Sequence, residues 1–286
     1  MRRYRALRKP VDRYEQYVIR QSDLYVATKP ADPEIAACVL DWLYRWAVAG
    51  AYLGEVSRQG GFVRKWSLGT VSLAYLKIRN AKGLNQTKKT AVKDWIDKWA
   101  AIIRDDYSSD LHRSSRNNNH AYWAAWSVGL AAVVLNNRRL FYWMTGRYHL
   151  ALNQIGADGS LPLEMNRRSR ALHYHVFSVQ ALVLIAELGA WNGLDLYGAR
   201  DGALKRLINR TVSGLADSAW FAEKTGKTQS WVGRLNGGKL AWMEPYYARF
   251  RDPALLPWIN RFRPMKNRRV GGNATLLYGA TEKLTR

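Results

Sequence analysis

The spacing of apolar residues along the chain predicts helices almost throughout. From residue 11 to about residue 260, apolar side chains recur every three or four positions, as they do along one face of a helix. The alternation of apolar and polar residues that is typical of strands is scarce. The predicted helices cover residues 11–27, 34–53, 62–79, 87–106, 120–136, 138–155, 169–190, 199–217, about 239–250 and 253–260.

The connections between these helices are short and polar, which favours antiparallel helix hairpins and an all-α fold. No internal repeat and no domain boundary is visible, so the sequence predicts a single domain over residues 1–286. Residues 1–10 are basic and end at Pro10, which predicts a flexible arm. Residues 220–238 have few core residues and are predicted to form a long surface loop or lid.

The charge balance narrows the class of partner. Lys and Arg number 45 against 22 Asp and Glu, a net charge of +23, and the chain also carries 13 Trp and 16 Tyr. This combination predicts a polyanionic partner, which could be a nucleic acid, an anionic membrane or an acidic polysaccharide. The cations are spread along the chain and no helix-turn-helix, zinc or RNP motif occurs, which argues against specific nucleic-acid recognition.

The cysteine count, the lack of metal-binding motifs and the lack of long apolar runs exclude further classes of protein. A single cysteine, Cys38, rules out an internal disulfide and a cysteine-rich metal site, and no HExxH motif is present, so no metal or cofactor is predicted. No apolar run approaches eighteen residues, so no membrane span is expected. The basic first residues are not followed by an apolar segment, and no signal peptide is predicted.

Two polar stretches carry the candidate chemistry, and the first is Asn117–Asn118–Asn119–His120. Asn is favoured at helix caps, which places His120 in the first turn of a helix. The positive end of the helix dipole there favours a neutral imidazole, and amide donors beside it suit a carboxylate. The alternative is a histidine that only makes a local hydrogen bond near the cap.

The second stretch contains Glu164, Arg167, Arg170 and Tyr174. On a continuous helix the seven residues between Arg167 and Tyr174 are close to two turns, so both side chains would share one face. An Arg beside a Tyr hydroxyl suits an acidic substrate and proton transfer. The alternative is a solvated basic helix whose Tyr packs on a neighbouring element.

Several sequence blocks together resemble a known family. In chain order they are FVRKWSLGTVSLAYLKIR, NNNHAYWAAWSV, NNRRLFYWM, LPLEMNRRSRALHYHVF, AWMEPYYARF and RVGG. They resemble polysaccharide lyase family 5, the alginate lyases that act on polymannuronate, over roughly residues 11–275. The resemblance implies an incomplete α/α toroid of helix hairpins around a deep cleft, and a periplasmic or secreted location.

The resemblance also implies site residues. Asn119 and His120 match the pair that neutralises the substrate carboxylate, while Arg167 and Tyr174 match the catalytic Arg and Tyr. The residues expected to bind substrate are Arg64, Lys65, Trp66, Trp123, Glu164 and Arg269. Trp66, Trp123, Trp126 and Trp231 are candidates for stacking on sugar rings, although burial in the core is the more frequent role of a Trp and is expected of Trp126.

The expected reaction is β-elimination in a 4-linked uronan. Neutralising the carboxylate makes the proton on C5 removable, and in mannuronate Tyr174 could both take that proton and protonate the leaving O4. The expected partner is therefore an acidic polysaccharide, bound by a monomer. Three alternatives stay open: a lyase for another uronan such as glucuronan, a lyase-like scaffold that only binds polyuronate, and a nucleic-acid-binding protein.

Overall fold

The computed structural model describes residues 2–109, 112–230 and 234–279. Its helices are α1 (Arg2–Ala27), α2 (Pro33–Val48), α3 (Arg58–Ile78), α4 (Gln86–Ser108), α5 (Asn119–Leu135), α6 (Arg138–Asn153), α7 (Pro162–Met165), α8 (Ala171–Trp191), α9 (Ala199–Ala216), α10 (Ala219–Thr225), α11 (Gly237–Leu240), α12 (Met243–Phe250), α13 (Leu256–Phe262) and α14 (Ala274–Tyr278). Strands β1 (Lys266–Asn267) and β2 (Gly272–Asn273) form an antiparallel pair.

The helices are arranged in two layers. Helices α1, α3, α5, α8 and α12 contact one another in series, and α2, α4, α6 and α9 pack outside them as the second members of helix hairpins. This is the incomplete α/α toroid that the resemblance implied. The buried apolar side chains form one continuous cluster between the layers.

Side-chain caps explain where the long helices begin. Asp32 caps α2 by accepting a hydrogen bond from the Glu34 amide, directly before Pro33 at the first helical position. Ser57, Asn85 and Asn137 cap α3, α4 and α6 in the same way. Because each cap satisfies an amide that has no partner inside the helix, it fixes the first turn of that helix.

Helices α5 and α8 are the centre of the fold. Both are apolar on nearly every face, and most of their side chains are buried because other helices cover them on several sides. The segment Arg168–Trp191 is long and apolar enough to cross a membrane, but 78% of its most apolar window is buried inside the fold. It is therefore a core helix of the toroid.

The N-terminal segment differs from the prediction. Residues 1–10 were expected to form a flexible arm, but α1 begins at Arg2 and continues through Pro10. Arg8 donates to the Asp12 carboxylate one turn later, at 3.2 Å, which supports the helix on both sides of the proline.

Two C-terminal regions also differ from the prediction. Residues 220–238 were expected to form a loop or lid, but part of this segment is helix α10, which buries Phe221 in the core.

The basic tail contains the β1–β2 hairpin. A tight turn at Gly271, where φ is +106°, joins the two strands, and the hairpin packs back onto α1 and α3. Arg268 in this turn pairs with Glu15 of α1 at 2.6 Å, which fixes the position of Arg269.

Candidate active site

Helix α5 begins at the predicted asparagine cap. The Asn118 side chain accepts a hydrogen bond from the His120 amide at 3.0 Å, and Asn119 is the first helical residue. His120 therefore lies in the first turn of α5, as the sequence predicted. The first turn of a helix carries partial positive charge, so this end of α5 favours an anion nearby.

Glu164 fixes the start of α5 by hydrogen bonds to Asn119. Its carboxylate accepts from the Asn119 backbone amide at 2.8 Å and from Asn119 Nδ2 at 2.9 and 3.1 Å. Both residues are completely buried, and burial raises the pKa of Glu164 against the lowering effect of these hydrogen bonds. The prediction that Glu164 contacts substrate is therefore wrong, because its carboxylate is used to orient Asn119. The Asn119 amide nitrogen, which was expected to face the substrate, is in turn directed at Glu164.

His120 is held on two sides. Its ring stacks on Phe62 with ring centres 3.9 Å apart and planes 9° from parallel, and its Nδ1 lies 3.1 Å from Lys65 Nζ. Burial, followed by the charges of Lys65 and Arg167, lowers the pKa of His120 to about 2. The imidazole is neutral at physiological pH, as predicted, but burial and neighbouring cations are the main causes.

Two of the predicted substrate-binding residues are inaccessible. Lys65 is completely buried beneath His120, so its ammonium cannot reach a ligand in the cleft. Trp123 is also completely buried, and its indole donates to the Phe177 carbonyl at 3.1 Å. Trp126 lies in the core, as expected, and its indole donates to the Arg269 carbonyl at 3.0 Å.

Arg167 and Tyr174 are neighbours, but not through the predicted continuous helix. A short 3-10 turn, Arg168–Arg170, separates Arg167 from α8, and Arg168 has a φ of +54°. This bend brings the Arg167 guanidinium to 4.5 Å from the centre of the Tyr174 ring. Arg167 also lies 3.8 Å from the Glu164 carboxylate. The buried Glu164 side chain therefore contacts Asn119 of the first polar stretch and Arg167 of the second.

The two polar stretches open into one cleft. Asn119, His120 and Tyr174 line a cavity of about 320 Å³, together with Trp66 and Arg269. The Arg269 guanidinium lies 3.9 Å from the Trp66 ring, and burial and neighbouring Arg residues lower its pKa to about 10. The cleft therefore combines a phenol, a neutral imidazole and buried positive charge, which suits an acidic sugar.

Arg64 lies outside this cleft. It lines a neighbouring cavity of about 490 Å³ that also contains Arg58, Arg113 and Arg116. Its guanidinium donates to the Gly54 carbonyl. Phe62 borders this second cavity while its ring stacks on His120, so the stacked pair forms the wall between the two cavities. Arg64 is thus separated from Tyr174 by this wall, and its contact with a uronate carboxylate stays a prediction.

Four polar residues that line the cleft were not among the predicted site residues, namely His173, Gln180, Lys239 and Asn267. Gln180 could have been found as a polar position inside the apolar helix α8, where it is almost fully buried. Lys239 and Asn267 could not be found in this way. Lys239 follows Gly237 and Gly238, where two segments of the chain approach each other closely. A Cβ on Gly238 would lie 2.8 Å from the Lys266 carbonyl oxygen.

The segment predicted to be a lid is partly fixed to the site. Gln229 accepts from the Leu172 amide at 3.1 Å and donates to the Arg168 carbonyl at 3.0 Å. The Ser230 amide donates to the Ser169 carbonyl at 2.9 Å. These bonds attach residues 229–230 to the bend between Arg167 and α8. Trp231, a candidate for sugar stacking, lies outside the described residues.

Both the sequence and the α/α toroid match known polysaccharide lyases. A sequence profile of the alginate lyase family matches residues 3–221. The alginate lyase of Pseudomonas syringae pv. tomato is 37% identical over 255 residues, which is 88% of this chain and 68% of that protein. The alginate lyase of Azotobacter vinelandii is 35% identical over 289 residues, which is 99% of this chain and 76% of that protein.

Solved structures agree with the sequence comparison. Alginate lyase A1-III complexed with a tetrasaccharide superimposes with a TM-score of 0.88 at 26% identity, covering 96% of this chain and 77% of that one. The structure of A1-III from Sphingomonas species A1 gives a TM-score of 0.85 at 28% identity and covers 93% and 75%. The chain thus spans about two-thirds to three-quarters of the length of these relatives. It belongs to the alginate lyase family of polysaccharide lyases.

Proposed function

We propose that this chain cleaves a 4-linked polyuronate, poly-β-D-mannuronate of alginate above all, by β-elimination. The product carries an unsaturated uronate at its new non-reducing end. The observation that supports this most is the convergence of Tyr174, His120 and Arg269 on one cleft, with Arg167 beside the tyrosine ring. Membership of the alginate lyase family supports the same substrate class.

The first task in this reaction is to neutralise the sugar carboxylate. The proton on C5 is too weakly acidic to be removed while the adjacent carboxylate keeps its full charge. Hydrogen bonds from the neutral His120 and positive charge from the cations of the cleft let negative charge spread into that carboxylate as C5 loses its proton. The N-terminal turn of α5, on which Asn119 and His120 lie, adds its own partial positive charge.

The second task is proton transfer. In a mannuronate residue the C5 proton and the C4 oxygen lie on the same face of the ring, so one group can serve both. In our proposal the Tyr174 phenolate takes the C5 proton, the C4–O4 bond breaks, and the same hydroxyl then protonates the departing O4. The electron pair of the C5–H bond becomes the C4–C5 double bond, so the reaction needs no water and no added cofactor.

A substrate panel tests this proposal. Polymannuronate, polyguluronate, glucuronan and hyaluronan are incubated with the enzyme, and the unsaturated product is followed by its ultraviolet absorbance. We expect the fastest gain in absorbance with polymannuronate. Equal or faster cleavage of glucuronan, in which the two groups lie on opposite faces, would replace the single-tyrosine mechanism with one that uses separate base and acid.

A further inference from the structure

Lys65 is a buried cation that the proposed mechanism does not use. It lies on α3 with none of its surface exposed, although lysine is rarely buried without a carboxylate partner. Its Nζ lies 4.4 Å from the centre of the Phe62 ring, 4.6 Å from Trp66 and 5.5 Å from Tyr107. The polar atom that it approaches most closely is Nδ1 of His120, at 3.1 Å.

The chemistry of this contact selects one tautomer of His120. A lysine ammonium has three N–H donors and no acceptor, so a hydrogen bond from Lys65 requires Nδ1 to be unprotonated. In a neutral imidazole the proton then lies on Nε2. The aromatic rings around Lys65 favour the ammonium by cation–π attraction, and the ammonium is the form of lysine that can only donate.

The other groups that face Lys65 do not offer it a better acceptor. Burial and the charge of Arg269 lower the pKa of Lys65 well below its usual value, Asp106 raises it, and Arg116 lowers it. Asp106 is itself paired with Arg116 at 2.6 Å. Among residues 2–109, 112–230 and 234–279, the Nδ1 lone pair of His120 is therefore the acceptor that lies at hydrogen-bond distance from this buried lysine.

We propose that Lys65 is a positioning residue that donates to His120 Nδ1 and so fixes the Nε2–H tautomer, which presents a donor to the sugar carboxylate. The inference rests on the proposed function and assigns a role within it. With the proton on Nε2, His120 binds the carboxylate and cannot act as the base. The alternative in which His120 is the base and Tyr174 the acid is thereby removed. The Phe62 stack holds the plane of the ring while Lys65 sets its protonation.

A second buried histidine, His175, has the opposite tautomer and serves as an internal standard. His175 is completely buried, its Nε2 accepts from the Leu161 amide at 2.9 Å, and its Nδ1 lies 2.9 Å from the Ala171 carbonyl. A carbonyl can only accept, so the proton of His175 is on Nδ1. The chain has five histidines, so both tautomers can be observed in one spectrum.

The test is ¹⁵N nuclear magnetic resonance of the full chain labelled at histidine, near pH 7.5 and without substrate. The His120 signals are assigned by their loss in His120→Gln. We expect the wild-type protein to show His120 protonated at Nε2 and His175 protonated at Nδ1. Lys65→Met, which keeps the length of the side chain but has no donor, should give a mixture of His120 tautomers. Lys65→Gln, which retains an N–H donor, should keep Nε2–H dominant.

A matched control uses the other buried lysine of α3. Lys77 is 7% exposed and pairs with Asp23, away from His120. Lys77→Met should lower the unfolding midpoint, as any loss of a buried ion pair does, but leave the His120 tautomer unchanged. On the preferred substrate of the panel, Lys65→Met should lower kcat by about 10- to 100-fold, the usual range for an outer hydrogen-bond partner, and Lys65→Gln by less.

Two results would overturn the inference. One is a wild-type spectrum in which His120 is protonated at Nδ1, which decides the question even if the Lys65 variants fail to fold. The other is a folded Lys65→Met with the wild-type tautomer. The spectrum needs no sugar, so a chain that shows Nε2–H but cleaves no uronan would reject the proposed function and leave the assignment of Lys65 intact.

Discussion

At the scale of single residues, the site depends on one buried carboxylate and the residues that it orients. Glu164 accepts from the backbone and side chain of Asn119 and lies 3.8 Å from Arg167. It connects the start of α5 to the bend before α8. Sequence reasoning placed Glu164, Asn119 and Arg167 in one site, and the structure brings these three residues into contact. The sequence could not show that Glu164 faces away from the ligand, because spacing along the chain does not reveal burial.

Arg167 and Arg170 can be separated by mutation. We predict that Arg167→Ala lowers kcat by roughly 10²-fold or more, the usual cost of one charge-stabilising donor, because its guanidinium lies beside Tyr174. Arg170 is exposed and its guanidinium is farther from the same ring, at 5.7 Å, so Arg170→Ala should lose less. Turnover on polymannuronate is measured for both. Equal losses would show that the bend does not direct Arg167 toward the reaction.

At the scale of elements, the helix pattern predicted the long helices to within a few residues, apart from the early start of α1, but not the bends between them. Helices α5 and α8 were visible as long apolar segments with polar starts. The spacing argument assumed a continuous helix from Arg167 to Tyr174, and the left-handed φ of Arg168, which interrupts it, has no signature in the sequence. The contact of Arg167 with Tyr174 was thus predicted correctly from a wrong local geometry.

A distant residue caps helix α8. No side chain at its own N-terminus satisfies the first amides, and Gln229 supplies the acceptor for Leu172 from another part of the chain. We predict that Gln229→Ala costs about 1–3 kcal/mol of unfolding free energy, because it leaves buried polar groups without partners, and lowers kcat by moving Tyr174. Urea unfolding and turnover are measured together.

Gln86→Ala, at the exposed start of α4, is the matched control and should change neither quantity much. Gln229→Glu keeps an acceptor for the Leu172 amide and should recover most of the stability. If Gln229→Ala unfolds at the wild-type urea concentration, the attachment of residues 229–230 to α8 contributes nothing to the fold.

At the scale of the whole molecule, the excess of 23 positive charges was the clearest sign of a polyanionic partner, and the fold shows how part of it is used. Arg269 reaches the cleft because the β1–β2 hairpin folds back onto α1 and α3. Apolar periodicity could not predict that return, since a two-residue strand pair has too few positions to form a pattern. The all-α architecture of helix hairpins was predictable from apolar spacing and short connections, whereas the toroid was expected from the family resemblance.

Buried neutral histidines make the stability of the molecule depend on pH. Burial lowers the pKa of His120 to about 2 and of His175 to about 4, whereas a histidine in the unfolded chain titrates near ~6.5. Below pH ~6.5 the unfolded state binds protons that the folded state does not, so the free energy of unfolding falls as pH falls. Each histidine contributes a slope of up to about 1.4 kcal/mol per pH unit.

Urea unfolding between pH 7.5 and pH 5 measures this slope. We predict that His175→Gln unfolds at lower urea but with a shallower dependence on pH, whereas His149→Gln, at an exposed position, keeps the wild-type slope. A wild-type midpoint that does not change over this range would mean that the buried histidines are protonated in the folded state, which contradicts the neutral imidazole on which the site depends.

The central claim is that the Tyr174 hydroxyl performs the proton transfers in a cleft that neutralises a sugar carboxylate. The most direct measurement is the gain in ultraviolet absorbance on polymannuronate with Tyr174→Phe, beside the affinity of the same variant for a mannuronate oligomer. Tyr142→Phe, 67% exposed on the outer helix α6, is the control. We predict that Tyr174→Phe loses roughly 10²- to 10⁴-fold in rate while its affinity stays near that of the wild type. Wild-type turnover in Tyr174→Phe would contradict the account.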